Sequence, residues 1–156
     1  MPTLVNTCQQ TLSALNQYPF GFFLNMEKWP NEIVPAGEED IVLYGGFLRH
    51  ERGFIVQKMA IFVDPNGIFW TIHVGDYCNG ISNIRLLWRI IHPYHQCIRE
   101  AAAFHDVYCT TKIFSQKKTH LMFWRIQRAN KVDKVKAFLT WLAVRCWCRL
   151  RYPSWR

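Results

Sequence analysis

The sequence predicts an α+β fold, and three patterns along the chain carry that prediction. Apolar residues at helical spacing indicate an amphipathic N-terminal helix over 3–16. The turn sequence Asp64-Pro65-Asn66-Gly67 joins two β-rich runs, 59–63 and 68–74, and Asn-Gly between such runs is a strong hairpin signal. Beyond Gly80 the apolar spacing becomes helical. We therefore expect an N-terminal helix, an antiparallel β-meander and a helical C-terminal half.

The first half of the chain combines loops with short predicted strands. A loop-rich stretch follows the first helix and contains a short strand over 21–24. Longer strands are predicted over 41–48 and 54–63, with Gly45-Gly46 as a β-bulge. The chain is expected to form a single domain, 1–156, with a variable part over 3–50, the β-meander over 54–82 and a helical half over 83–150.

About four helices are predicted in the C-terminal half. A short helix over 84–91 is stopped by Pro93, and helices over 96–108, 116–129 and 133–149 follow it. The connection between the helices over 96–108 and 116–129 is short, so we expect them to be antiparallel neighbours.

Composition and charge limit the classes to which the chain can belong. Half of the residues are hydrophobic, which argues against a disordered chain, and no apolar run is long enough to span a membrane. The six cysteines lack the paired C-x-x-C spacing of a structural zinc site, and no signal peptide is recognisable. Free thiols in a reducing cytoplasm are therefore expected. The formal charge of +8 predicts attraction to anions such as nucleic acid, an anionic polymer or an acidic partner, although no nucleic-acid motif accompanies it.

The most informative stretch is an alanine-rich helical run that ends in the pair His105-Asp106. Burying these side chains without partners is costly, so the sequence predicts neighbours that satisfy them. His105 lies near the end of its helix, and His120 lies about one turn into the next. In an antiparallel hairpin these heights match, and we expect both imidazoles to face the same point. Cys109 follows His105 by one helical turn and shares its face.

Two sets of metal ligands are compatible with this spacing, beside a purely structural interpretation. His105, Cys109 and His120 suit zinc, whereas His105, Asp106 and His120 suit a harder or borderline divalent metal. Alternatively, the helix dipole favours a histidine near a helix C-terminus, and Asp106 can hydrogen-bond backbone donors. Ser82 with His105 and Asp106 has the components of nucleophilic catalysis but lacks the G-x-S-x-G turn.

The last predicted helix carries apolar residues on several faces, which is typical of a core helix or of one that meets a partner. One face combines Val135, Phe138, Leu139, Leu142 and Cys146. We expect this helix to lie in the core. The alternative is an interface formed by Trp141, Trp147, Arg145 and Arg149.

Several motifs within residues 72–147 stand in a recognisable order and spacing. They are Ile72-His73-Val74-Gly75-Asp76-Tyr77-Cys78-Asn79-Gly80-Ile81-Ser82, Arg85-Leu86-Leu87-Trp88, Ala102-Ala103-Phe104-His105-Asp106, Thr119-His120 and Phe138-Leu139-Thr140-Trp141-Leu142-Ala143-Val144-Arg145. In this order they resemble domain of unknown function 1353, a family found in tailed phages and prophages. The resemblance implies a phage or prophage source. It also groups Asn79 and Ser82 with His105, Asp106 and His120, although Asn79 and His120 stand where the family pattern has aspartates.

From these residues we expect a small phage-encoded hydrolase that uses a divalent metal such as zinc. His105 and His120 would hold the metal or exchange protons, and Asp106 would orient an imidazole or bind the metal. Ser82 would position the substrate, and Asn79 would accept a hydrogen bond or ligate weakly. The phage context suggests a cell-envelope polymer as substrate, and the host cytoplasm or the virion as location. The rival expectation is a non-enzymatic virion or tail component, or a binder of a host protein, that uses the basic, tryptophan-rich helical half.

Overall fold

The computed structural model describes residues 13–14, 16–24, 33–34, 43–44, 54–56, 59–78 and 96–155. Within these residues the strands come first and the helices last, so the predicted α+β class is confirmed. The strands are β1 (Phe22–Leu24), β2 (Ile33–Val34), β3 (Leu43–Tyr44), β4 (Phe54–Val56), β5 (Ala60–Val63), β6 (Phe69–Ile72) and β7 (Tyr77–Cys78). The helices are α1 (Gln96–Thr111), α2 (Gln116–Ala129) and α3 (Lys134–Arg151).

The strands form two antiparallel sheets. One sheet has the order β2-β1-β5-β6, and the other has the order β3-β4-β7. β5 and β6 are the arms of the predicted hairpin, with Val63 opposite Phe69. The turn is closed by hydrogen bonds from Asp64 N to Ile68 O (3.1 Å) and from Gly67 N to Asp64 O (2.9 Å). The hairpin predicted from the Asn-Gly signal is therefore confirmed.

The run over 54–63, predicted as one strand, is divided between the two sheets. Its first part is β4, in which Phe54 lies opposite Cys78 of β7, and its last part is β5, which pairs with β1 and β6. Strand β7 follows the hairpin, and a second turn over 73–76 brings it back beside β4. The expected meander therefore takes the form of two small sheets.

Several predicted features lie outside the described residues. Residues 13–14 and 16–17 are helical, but the rest of the helix predicted over 3–16 is not described. Of the strand predicted over 41–48, the structure describes β3. The glycine pair at 45–46, the helix predicted over 84–91 and the candidate site residues Asn79 and Ser82 also lie outside the described part.

Local capping defines the ends of the helices. α2 begins after Ser115 and α3 after Asp133, and both cap side chains accept hydrogen bonds from backbone N–H groups of the first turn. α1 continues past its predicted end at 108 to Thr111, and the chain leaves the helix where Lys112 adopts a φ of 53°. The short connections hold the three helices as successive neighbours.

The helices pack on the sheets through a shared core. Trp70 of β6, Phe104 of α1 and Phe123 of α2 belong to one buried cluster. Each such side chain contributes about 1.5–3 kcal/mol when it is removed from water. A polar contact adds to this packing, since Arg125 Nη1 of α2 lies 2.8 Å from Asp64 Oδ2 in the hairpin turn. These contacts fix the α1–α2 hairpin on the sheet.

α3 packs against α2 through a narrow face of small residues, Ala137, Thr140, Val144 and Cys148. The wider apolar face is exposed instead, and it comprises Val135, Phe138, Leu139, Leu142 and Cys146. The expectation of a core helix therefore holds for one face of α3 and is wrong for the other. None of the helices in the described part of the chain combines the length and apolar character needed to cross a lipid bilayer.

Candidate metal centre

The antiparallel hairpin of α1 and α2 brings His105 and His120 into contact. His105 Nε2 lies 3.0 Å from His120 Nδ1, and the two rings are stacked with centroids 5.1 Å apart. Both residues are buried, with 5% and 2% of their surface exposed. The matching heights expected from the sequence are thus observed.

Two thiols lie beside His105. Cys109 Sγ is 3.5 Å from His105 Nδ1 and 3.4 Å from His105 Nε2. Cys148 reaches the same point from α3, and the ligand atoms of His105, Cys109 and Cys148 all lie within 4.8 Å of one another. These three residues form the His-Cys cluster, in which Cys109 is partly exposed and the other two are buried.

The donor atoms of the His-Cys cluster are of the kinds that bind zinc, and they lie close together. With Zn–S of about 2.3 Å and Zn–N of about 2.0–2.1 Å, tetrahedral ligand atoms stand about 3.5–3.8 Å apart. One ligand pair is close to this spacing, since Cys109 Sγ lies 3.4 and 3.5 Å from the two nitrogens of His105, and all three ligand atoms lie within 4.8 Å of one another. Thiolate and imidazole ligands select zinc and similar metals over magnesium or calcium. The residues therefore fit a thiophilic divalent ion.

The ligand sets predicted from the sequence are brought together only in part. Asp106 Oδ1 is 3.9 Å from His105 Nδ1, and His120 contacts His105 Nε2. Among the described residues, however, neither Asp106 nor His120 belongs to the group of mutually close ligand atoms. Both flank His105, and Cys109 with Cys148 supplies the remaining donors.

Cys148 is the candidate that sequence reasoning missed. It lies far along the chain from His105 and forms no C-x-x-C pair. The signal that could have identified it is its helical spacing with Ala137, Thr140 and Val144. Small side chains at a contact allow two helices to approach closely. The face that they define on α3 also carries Cys148 to the cluster.

Hydrogen bonding shifts the pKa values of the two thiols, Cys109 and Cys148, in opposite directions. The pKa of Cys148 is lowered to about 5, first by the hydrogen bond from Cys109 and then by that from His105, which together outweigh burial. The same contact between the thiols, together with burial, raises the pKa of Cys109. Burial opposes charge on His105, but hydrogen bonds with Asp106 and Cys148 outweigh it and raise the pKa of this imidazole. Cys148 is therefore the thiolate of the cluster, and thiolate is the form that binds metals.

His120 remains neutral in these surroundings. Its pKa is lowered to about 3, first by burial and then by the positive charges of His105, Arg145 and Arg149. His105 Nε2 and His120 Nδ1 share one hydrogen bond, and when His105 is its donor the proton of a neutral His120 lies on Nε2. That Nε2 atom is buried and has no hydrogen-bond partner within the described structure.

A cleft of about 580 Å³ opens beside His120. We call it the cationic cleft, and its lining consists of Gln116, Lys117, His120, Arg145, Arg149, Tyr152, Pro153 and Trp155. The lining contains two arginines and one lysine and no acidic side chain. His120 therefore belongs both to the cleft and, through His105, to the surroundings of the His-Cys cluster.

The four residues predicted as an interface occupy different faces of α3. Arg145 and Arg149 line the cationic cleft, and the Arg145 guanidinium lies 5.0 Å from the centroid of the half-buried Trp141 ring. Trp147 is exposed on another side of the helix. These residues therefore do not form a single patch.

Comparison with known families gives a match between residues 54–144 and the family described as Protein of unknown function (DUF1353). The matched segment contains His105, Cys109 and His120 and ends before Cys148. The uncharacterized protein y4jT of Sinorhizobium fredii (strain NBRC 101917 / NGR234) is 36% identical over 84 residues, which are 53% of this chain and 25% of that protein. The uncharacterized protein y4iH of the same strain is 32% identical over 84 residues, which are 53% of this chain and 35% of that protein. The match thus covers about a quarter to a third of each relative. No solved structure matches the chain.

Proposed function

Because the chain belongs to the DUF1353 family, described as a protein of unknown function, we propose a function from its geometry: a metal-dependent hydrolase. The metal is a thiophilic divalent ion such as zinc, held by His105, Cys109 and Cys148. The observation that carries the proposal is the convergence of their three ligand atoms within 4.8 Å. Three protein ligands leave one tetrahedral position for water, as in catalytic zinc sites.

The neighbours of His105 support a role as metal ligand. A ligating histidine usually donates its second N–H to a partner that orients the ring. His120 stands in that position, 3.0 Å from His105 Nε2, which leaves Nδ1 for the metal. A zinc ion held by these residues would lower the pKa of a bound water and so supply the nucleophile for hydrolysis. Asp106, 3.9 Å from Nδ1, adds a negative charge that favours a cation at the cluster.

The metal content of the purified protein tests the first step. We expect about one zinc ion per chain by elemental analysis, and loss of this zinc in Cys109→Ser and Cys148→Ser. Cys146→Ser is the matched control, because Cys146 lies on the same helix but is exposed and outside the cluster. Folded wild-type protein without metal, or equal zinc in all three variants, would overturn the metal centre.

The finer part of the proposal is a phage-encoded enzyme that acts on a cell-envelope polymer, in the host cytoplasm or from the virion. It draws on the resemblance of residues 72–147, which also suggests that Asn79 and Ser82 border the substrate. We expect the zinc-loaded protein to release soluble fragments from peptidoglycan, and chelation or His105→Ala to abolish the release while Cys146→Ser retains it. A wild type with full zinc occupancy and no release would contradict hydrolysis of this polymer.

A second candidate function is a non-enzymatic binding role for α3, with a virion or host protein as partner. The observation that favours it is the exposed apolar face of this helix, on which Leu142 is 40% exposed. A row of exposed apolar side chains is typical of a surface that a partner covers. A photo-crosslinking residue in place of Leu142 should capture one defined partner, and the same residue in place of Lys131, outside the helix, should not. Equal capture at both positions would contradict this role.

A further inference from the structure

The cationic cleft has an uneven charge distribution that the metal centre does not explain. Lys117 comes from α2, and Arg145 and Arg149 come from α3. Among the residues that the structure describes, no carboxylate forms an ion pair with any of these three cations. Within this part of the chain, no carboxylate neutralises the positive charge of the cleft, and such a field attracts anions.

Two buried polar atoms at this cleft have no hydrogen-bond partner in the described part of the chain. They are Gln116 Nε2 and His120 Nε2, on residues with 9% and 2% of their surface exposed. The Gln116 atom is an amide donor, and the His120 atom is a donor when Nδ1 of the same ring accepts from His105. Buried donors without an acceptor are unfavourable. They indicate that the occupant of the cleft carries acceptor oxygens.

The start of α2 adds to the same field. Gln116 and Lys117 form the first turn of this helix, which contains no acidic residue. The cap residue Ser115 accepts from the backbone N–H of Lys118. The positive end of the helix dipole thus lies at the cleft, where Gln116 and Lys117 form part of the lining.

We propose that the cationic cleft binds the phosphate group of a small phosphorylated molecule. Guanidinium groups bind phosphate through paired charge-assisted hydrogen bonds, and an ammonium group adds a point charge. A volume of about 580 Å³ is that of a small-molecule site. Tyr152, Pro153 and Trp155 supply an apolar wall for the organic part of the ligand. Phosphate binding at the cleft does not require the metal. The phosphorylated molecule would be the substrate of the proposed hydrolase only where the two sites act on one molecule.

Calorimetric titration with inorganic phosphate and with phenyl phosphate tests this assignment. We expect both to bind the wild type, with phenyl phosphate tighter because its ring meets the apolar wall. The double variant Arg145→Gln/Arg149→Gln should weaken binding by at least about tenfold, since it removes two charge-assisted contacts. The matched control is Lys134→Gln/Lys136→Gln, which removes the same charge from exposed positions of the same helix and should change affinity by less than about twofold.

Single variants at the cleft and at Cys148 separate loss of phosphate binding from loss of folding or of metal. If the double arginine variant does not fold, Lys117→Gln at an exposed position and Gln116→Leu, which retains every charge, should each still weaken binding. Cys148→Ser should bind phosphate like the wild type, so failure of the metal centre and failure of the phosphate site are distinguishable. Equal weakening in the lysine control, or no binding of either probe to the folded wild type, would overturn the proposal. If single-stranded DNA binds more tightly than phenyl phosphate, with a steep salt dependence, the small-molecule proposal is overturned in favour of nucleic-acid binding.

Discussion

His105 Nε2 and His120 Nδ1 lie 3.0 Å apart, and this contact joins the His-Cys cluster to the cationic cleft. His105 shares the cluster with two thiols, and His120 lines the cleft. The two nitrogens of one imidazole are coupled, because the hydrogen bond at one nitrogen determines which nitrogen carries the proton. When His105 donates from Nε2, its Nδ1 can accept a hydrogen bond or bind a metal in the cluster. His120 then carries its proton on Nε2, at the cationic cleft.

His120 should remain neutral through the mildly acidic range, because its pKa is lowered from 6.5 to about 3. The unfolded chain takes up this proton near pH 6.5, so between pH 6.5 and about 3 it binds more protons at this position than the folded chain. The free energy of unfolding should therefore fall as pH falls through this window. Urea unfolding at several pH values measures the slope, and His120→Gln should flatten it.

His105 contributes to the free energy of unfolding with the opposite pH dependence, because its pKa is raised. This contribution is fully present below pH 6.5 and is lost as pH rises through the raised pKa. Comparison of the wild type with His120→Gln isolates the His120 contribution. Equal slopes in the two proteins, or an NMR titration of His120 near pH 6.5, would contradict the neutral tautomer.

Zinc should stabilise the folded chain, since the His-Cys cluster exists only when α1 and α3 are docked. A ligand that binds only the folded state contributes about 2.7 kcal/mol at 100 times its dissociation constant. For a chain of this size, the Tm of metal-free protein should then rise by about 5–10 °C when zinc is added. Cys148→Ser should abolish the rise and Cys146→Ser should retain it. A Tm that moves equally in both variants would assign the effect to other ligands.

The elements that sequence predicted best are those that depend on neighbouring residues. The turn at Asp64 is closed by its own backbone, and His105 meets His120 across one short connection. Cys148 could not be placed in this way, because its contact with His105 depends on which face α3 turns toward α2. From hydrophobicity alone, the face of α3 that carries Leu142 would be expected to pack against α2. The helices pack instead through the face with the smaller side chains. On that face Thr140 Oγ1 donates a buried hydrogen bond to Gln127 Oε1 (2.7 Å).

Replacement of Asp64 should destabilise the fold strongly. The side chain is 1% exposed, and its oxygens accept hydrogen bonds from Ile68 N (3.1 Å), Trp70 Nε1 (3.2 Å) and Arg125 Nη1 (2.8 Å). Asp64→Ala removes this buried carboxylate from all of these donors, including the Arg125 guanidinium, so the free energy of unfolding should fall by roughly 3–5 kcal/mol. Urea unfolding measures the loss.

The control for Asp64 is Asp76→Ala, which also removes a carboxylate that accepts a turn N–H, from His73 N at 2.8 Å. This contact is exposed, so its loss should lower the free energy of unfolding by no more than about 1 kcal/mol. Similar losses in the two variants would show that the contact with Arg125 contributes little.

Gly21 is expected to tolerate no side chain. Its φ is 101°, and a Cβ at this position would overlap Val63 O and lie 2.5 Å from Phe62 Cζ. Gly21→Ala should lower the free energy of unfolding by roughly 2–4 kcal/mol, because left-handed strain adds to displacement of the β1–β5 pair. Gly67→Ala is the control, since its φ is 74° but no atom of the described residues lies within 4 Å of the added Cβ. The free energy of unfolding of this control should fall by about 1 kcal/mol, from backbone strain alone. If urea unfolding gives equal losses for both, the close approach of β5 to Gly21 does not limit the packing of β1.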